Sequence, residues 1–116
     1  MHDPNCIFCK IIQGTIPSKK LYEDDDVLGV FDINPASPVH FLLLPKRHIP
    51  TLQHVKEGDS SLLGKMLVLI PQLAEQQGCG DGFKTVINTG PNGGQEVYHL
   101  HIHVLGGPRP WKRATI

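Results

Sequence analysis

The chain has no excess of charge of either sign: eleven Lys and Arg stand against eleven Asp and Glu, for a formal net charge of zero. A surface that binds nucleic acid through a strong overall positive field is therefore not expected, although local patches stay open. No apolar run approaches the roughly 18 residues of a membrane span. The first residues, Met1-His2-Asp3-Pro4, lack the basic start and apolar stretch of a secretory signal. A cytoplasmic protein with no membrane partner and no nucleic-acid partner is the expectation. Cysteine is scarce: the three present are an odd number, and Cys6 and Cys9 lie too close together to staple a long loop. A reduced compartment or a metal is expected rather than a disulfide framework, with Cys79 packed as a small apolar group. Neither an internal repeat nor a low-complexity linker divides the chain, and 116 residues suit a single domain, 1–116, with one site.

Between these absences the chain carries regular patterns. Ile7, Phe8, Ile11 and Ile12 repeat as on a short amphipathic helix, capped by Asn5 and closed by Gly14. Leu21-Tyr22-Glu23 and Val27 to Asp32 read as short strands around an acidic, solvated turn at Asp24-Asp25-Asp26. Asn34-Pro35-Ala36-Ser37-Pro38 cannot continue a central strand and forms a loop with Asp32 and Ile33 at its entrance. His40 to Pro45 is nearly continuous in apolar residues, as in a strand buried on both faces, and Lys46-Arg47-His48 marks where the chain re-emerges. From a cap at Asp59 or Ser60, apolar residues recur at helical spacing to Gly78, with a kink or break expected near Ile70 because Pro71 lacks a donor. Gly82 to Asn88 alternates like a strand, and Gly90-Pro91-Asn92-Gly93-Gly94 is a turn. Strands with a helix between them and few βαβ signals give an α+β fold with a mainly antiparallel sheet.

The distinctive stretch is His99-Leu100-His101-Ile102-His103-Val104-Leu105. On a β-strand, His99, His101 and His103 share one face, with neighbours roughly 6.6–6.8 Å apart, close enough for one small anion to touch two of them. Spacing alone leaves a structural role, a metal site and catalysis all open. The glycine-rich turn before the strand adds a backbone able to approach a ligand and N–H groups able to cradle a phosphate. Gly106-Gly107 makes a second tight turn after it. A neutral imidazole is a competent nucleophile towards phosphorus, and a second donor on the same oxygens stabilises the transition state.

Gly93 to Gly107 resembles the His-x-His-x-His signature of the histidine triad (HIT) family, in particular its Hint branch of purine nucleoside phosphoramidases. The resemblance covers nearly the whole chain, through Cys6 to Ile12, Gly14 to Ser18, Asp32-Ile33-Asn34-Pro35 and Gly78 to Asn88. It implies a five-stranded, mainly antiparallel sheet in each subunit of a homodimer, with one long helix and a short N-terminal helix. It also implies cleavage of nucleoside 5′-phosphoramidates, adenosine preferred, to the nucleoside monophosphate, with no catalytic metal required. In that scheme His101 is the nucleophile, His103 contacts the phosphate and His99 orients the nucleophile. Asp32 takes the ribose hydroxyls, Ile33 walls the base pocket, and His40, Asn88, Gly94, Gln95 and Glu96 line the substrate site. Glu96 stands where animal members carry a serine, as bacterial members do, and Trp111 is about one residue out of register with a C-terminal tryptophan that reaches the partner's site. The tail from 108 to 116 is the least transferable part. Bacterial members with this CxxC also resemble a structural zinc site, here Cys6, Cys9, His48 and His99. Rival readings are a dinucleoside polyphosphate hydrolase of the same superfamily and a zinc-stabilised nucleotide-binding or scaffold protein. His2 and His54 read as ordinary exposed residues.

Overall fold

The apolar runs of the sequence pair into one sheet. In the computed structural model, which describes residues 3–111, its strands are β1 (Lys20–Glu23), β2 (Val27–Phe31), β3 (Val39–Pro45), β4 (Phe83–Val86) and β5 (Ile102–Gly106). Their order is β1-β2-β3-β5-β4, and every neighbouring pair is antiparallel. This is the α+β, antiparallel architecture that the sequence pattern suggests. The central strand β3 is buried along His40 to Pro45, as its continuous apolar run requires.

A helix covers each face. The short α1 (Ile7–Gln13) brings Phe8 and Cys9 against Leu28, Val30, Leu42 and Leu44. On the opposite face, α2 (Ser60–Gln76) packs Met66, Ile70, Leu73 and Ala74 against Phe41, Leu43, Ile102 and Val104. Alternation along β3 and β5 separates these sets, since a one-residue slip would turn every side chain to the wrong face. Burial of each large apolar side chain contributes about 1.5–3 kcal/mol, which holds the register. The histidines of β3 and β5 consequently lie on the α1 side.

Four local features depart from the sequence pattern. Cys6, not Asn5, caps α1: its Sγ accepts the Cys9 N–H at 3.2 Å, while Asn5 N–H goes to Asp3. Gly14 closes the helix with φ of 85°, a conformation glycine adopts without penalty. Pro71 does not break α2, which is continuous through it. Both Pro71 and Leu67, whose carbonyl loses its helical partner, are exposed, so the lost bond falls on the solvent side of the helix. Asp24 is more than a solvated turn residue. Its Oδ1 accepts the Asp26 and Val27 N–H groups at 2.8 Å, and its Oδ2 meets Tyr22 Oη at 2.6 Å and Lys65 Nζ at 2.8 Å, tying the β1–β2 turn to α2. Finally, regular pairing of the histidine strand begins only at Ile102, so His99 and His101 lie on the segment leading into it. No helix among the described residues is long and apolar enough to cross a membrane.

Candidate active site and metal cluster

Leu42 pairs with His103 across β3 and β5, which places His40, two residues along, on the same face as His103. His40 Nε2 and His103 Nδ1 are 2.9 Å apart. The bond's direction is fixed from behind: Ala36 N–H donates to His40 Nδ1 at 3.0 Å, so neutral His40 carries its proton on Nε2 and donates it. His103 Nδ1 accepts, which puts the proton of a neutral His103 ring on Nε2. Asp32 Oδ2 lies 3.4 Å from the same His40 Nε2, while its Oδ1 accepts Asn34 N–H at 2.8 Å. Asp32, His40 and His103 are close enough to hold a metal ion. The tautomer opposes that use, because His40 Nε2 keeps its proton as long as Nδ1 accepts from Ala36.

His101 Nδ1 is 2.7 Å from the His99 carbonyl oxygen. A carbonyl only accepts, so the proton sits on Nδ1 and Nε2 keeps its lone pair. Burial pushes the His101 imidazole below its ordinary range, against the opposing pull of the His99 carbonyl and Asp32. A neutral ring with a bare Nε2 is the form a nucleophile needs. Two rings hold it edge-on, Phe8 at 5.0 Å and His103 at 5.1 Å between centroids.

The same strand entrance serves a second cluster. His99 is fully buried, and its Nε2 lies 2.7 Å from the Pro45 carbonyl, so Nε2 donates and Nδ1 is bare. That Nδ1 lies 3.4 Å from Cys6 Sγ, 3.5 Å from Cys9 Sγ and 3.2 Å from His48 Nδ1, and Cys9 Sγ is 3.3 Å from His48 Nδ1. Tetrahedral zinc with nitrogen and sulfur ligands spaces them about 3.3–3.8 Å apart, and the donor set is one zinc favours. The surroundings fit as well. Asp3 and Cys9 N–H groups point at Cys9 and Cys6 sulfur, at 3.5 and 3.2 Å, and the Asp3 carboxylate lies 3.9 Å from His48 Nε2. Burial pushes the Cys6 thiol up to about 11, so at neutral pH a bound cation would displace its proton. These four residues can therefore hold a metal ion that pins α1 to the histidine strand.

The remaining candidate residues are placed as follows. Ile33 is 98% exposed beside Asp32, an apolar side chain turned wholly to solvent. Asn88 lies two residues beyond Val86, which pairs with His103, and it donates from Nδ2 to the Gly93 carbonyl at 2.9 Å. The glycine-rich turn does not offer a row of spare N–H groups. Those of Gly93 and Gln95 go to the Gly90 carbonyl and that of Gly94 to Pro91, each at 3.1 Å. Gln95 is buried and holds the loop together, accepting Gly90 N–H and donating to the Pro50 and Val97 carbonyls. Glu96 is exposed and lines a cleft of about 260 Å³ with Asp3, Cys6, His48 and Tyr98, on the metal-cluster side. Trp111 folds back, its Nε1 donating to the Gly107 carbonyl at 3.1 Å, with the Arg109 guanidinium 3.8 Å from its ring. His2 and the tail beyond Trp111 lie outside the described residues, and His54 is exposed with Nδ1 2.7 Å from Thr51 Oγ1.

Sequence reasoning missed the three groups that set the tautomers, all of them backbone: Ala36 N–H and the Pro45 and His99 carbonyls. It also missed Phe8 as the ring packed on His101, since Phe8 carried only the signal of an apolar residue on a short helix.

Comparison with known proteins points the same way as this geometry. The family model described as "Scavenger mRNA decapping enzyme C-term binding" matches residues 5–114. Protein HitA of Neisseria gonorrhoeae is 53% identical over 104 residues, which cover 90% of this chain and 97% of that protein. An uncharacterized HIT-like protein of Synechococcus elongatus is 50% identical over 101 residues, 87% of this chain and 89% of its own. Among solved structures, a histidine triad protein from Clostridium difficile superposes with a TM-score of 0.90 at 42% identity, covering 95% of this chain and 96% of that one. A HIT family hydrolase from Legionella pneumophila superposes at 0.88 with 45% identity, covering 90% and 95%. The chain belongs to the histidine triad family.

Proposed function

We propose that this protein hydrolyses the P–N bond of nucleoside 5′-phosphoramidates, adenosine preferred, through a nucleotidyl-histidine at His101. The observation that carries the reading is the locked tautomer of His101, whose Nδ1–H is tied to the His99 carbonyl so that Nε2 is the free base. In the first step Nε2 attacks the α-phosphorus, the P–N bond breaks, and the amine leaves with a proton taken from solvent. In the second step water attacks the same phosphorus and returns a proton to solvent, the phosphorus–histidine bond breaks, and the nucleoside monophosphate departs with His101 restored. His103 donates from Nε2 to the phosphate oxygens, where negative charge builds in both steps. Asp32 accepts the ribose 2′- and 3′-hydroxyls, since one carboxylate offers two oxygens to a vicinal diol. The exposed Ile33 gains cover when a base lies over it. The Legionella relative is a HIT family hydrolase, which supports hydrolysis as the reaction class.

Cys6, Cys9, His48 and His99 bind structural zinc in this reading, and the metal supplies only rigidity. The chain acts as a cytoplasmic homodimer, and light scattering tests the dimer. The test of function is turnover of adenosine 5′-phosphoramidate by wild type and His101→Ala. The variant is expected to lose all but a few per cent of the rate, on the order of the 10²-fold or more that a missing nucleophile costs. Full activity in His101→Ala would remove the mechanism. Faster release of AMP from diadenosine polyphosphates than from the phosphoramidate would reassign the substrate, and AMP binding without turnover would leave a binding protein.

A further inference from the structure

His40 sits between two acceptors. Its side chain is fully out of water, and its single Nε2–H faces His103 Nδ1 at 2.9 Å and Asp32 Oδ2 at 3.4 Å. Ala36 N–H, held on Nδ1 at 3.0 Å, keeps that proton on Nε2, so the two acceptors compete for one donor. Asp32 Oδ1 is already engaged by Asn34 N–H at 2.8 Å, which leaves Oδ2 as its less committed oxygen. We propose that His40 is a positioning residue that divides one proton between Asp32 and His103, transmitting the arrival of a vicinal diol at Asp32 to the group facing the phosphate. The coupling rests on the reading of Asp32 as ribose acceptor and His103 as phosphate contact.

The physical chain is short. Hydroxyls donating to the Asp32 carboxylate satisfy its lone pairs and weaken its hold on the His40 proton. The bond from His40 to His103 then tightens, and an imidazole that accepts more strongly at Nδ1 donates more strongly from Nε2–H. That donor meets the phosphate oxygens, where charge grows in the transition state, so the gain falls on kcat rather than on substrate binding. A substrate with an intact ribose is thereby selected twice, once by contact and once by rate.

The test compares adenosine 5′-phosphoramidate with its 2′,3′-dideoxy analogue. Wild type is expected to lose about tenfold in kcat with the analogue, the weight of one hydrogen bond, in addition to a rise in KM. His40→Asn keeps an acceptor for Ala36 N–H but withdraws the shared donor; its kcat is expected to be nearly equal for the two substrates while the KM rise persists. His40→Gln returns an N–H donor and is expected to restore part of the kcat ratio. A KM rise with equal kcat in wild type would overturn the coupling and leave the ribose role of Asp32 intact. Unchanged KM and kcat would overturn both. An undiminished kcat ratio in His40→Asn would also overturn the coupling. Should the buried-site variants not fold, ¹⁵N imidazole spectra of wild type decide: adenosine, but not 2′,3′-dideoxyadenosine, is expected to shift the His103 Nδ1 signal towards stronger acceptance. Equal shifts with the two nucleosides would refute the proposal.

Discussion

The zinc proposed at Cys6, Cys9, His48 and His99 can be tested by its removal. Cys9 Sγ takes part in contacts at 3.3 Å to His48 and 3.5 Å to His99, and it receives the Asp3 N–H. Cys9→Ser is therefore expected to disconnect α1, His48 and the histidine strand at one point, and with zinc bound as proposed a chelator is expected to do the same to the wild type. Zinc free at a thousand times its Kd stabilises the folded state by about 4 kcal/mol. For a domain of about this length each kcal/mol moves Tm by roughly 4 °C, so chelation is expected to lower Tm by about 15 °C. The assay is thermal melting followed by circular dichroism, with metal analysis of protein purified without a His tag. Cys79→Ala is the control: its thiol packs in the α2 core, away from the cluster, so it should retain about one equivalent of zinc. Because the His99 ring serves the cluster while its carbonyl orients His101, stripping the metal should lower kcat more than it raises KM. Less than about half an equivalent of zinc, together with a Tm that ignores the chelator, would refute the site.

Other consequences are equally direct. Gly106→Ala would place a Cβ 2.5 Å from Cys79 Sγ and 3.1 Å from Cys79 Cβ, an overpacking expected to cost about 1–3 kcal/mol in urea unfolding. Adding Cys79→Ala should recover part of that loss, and strict additivity of the two changes would contradict the packing described. Asp24→Ala removes the acceptor of two turn N–H groups and is expected to cost about 1–2 kcal/mol. Burial opposes ionisation of Asp24, but Lys65, Tyr22 and the Asp26 and Val27 N–H groups outweigh it and hold the folded carboxyl well below the usual carboxylate range. Its contribution is therefore present above about pH 4 and lost as pH falls from there towards the folded value, so wild type and variant should converge in stability in acid. Since burial also lowers the His101 pKa, the acid limb of kcat/KM should fall below about pH 6.5, and a limb above that value would contradict a neutral buried nucleophile.

How far the fold and site were legible depends on whether a feature is written in side-chain periodicity or in the path of the backbone. The run from His40 to Pro45 and the helical spacing of Met66, Ile70, Leu73 and Ala74 announce a central strand and a covering helix, because burial acts on side chains directly. The histidine pattern likewise predicts buried Leu100, Ile102 and Val104, although regular pairing starts only at Ile102. The tautomers are another matter. They depend on Ala36 N–H, the Pro45 carbonyl and the His99 carbonyl, groups every residue or nearly every residue carries, and only three-dimensional register selects which of them arrive. The glycine-rich turn misleads for the same reason: glycine permits close approach to a ligand, but it equally permits a tight turn whose N–H groups close on the loop's own carbonyls. Pro71 shows the reverse case. Its local cost is real, but the buried face of α2 and the exposed position of Leu67 let the helix continue.

The central claim is that His101 Nε2 forms a bond to phosphorus. The most direct measurement is intact-protein and peptide mass spectrometry of acid-free, rapidly quenched reactions with adenosine 5′-phosphoramidate, in wild type and in His101→Ala. A transient adduct of one adenylyl group per chain, mapped to His101 and absent from the variant, is the expected result. An adduct on His99 or His103, or rapid turnover by the variant with no adduct at all, would contradict it.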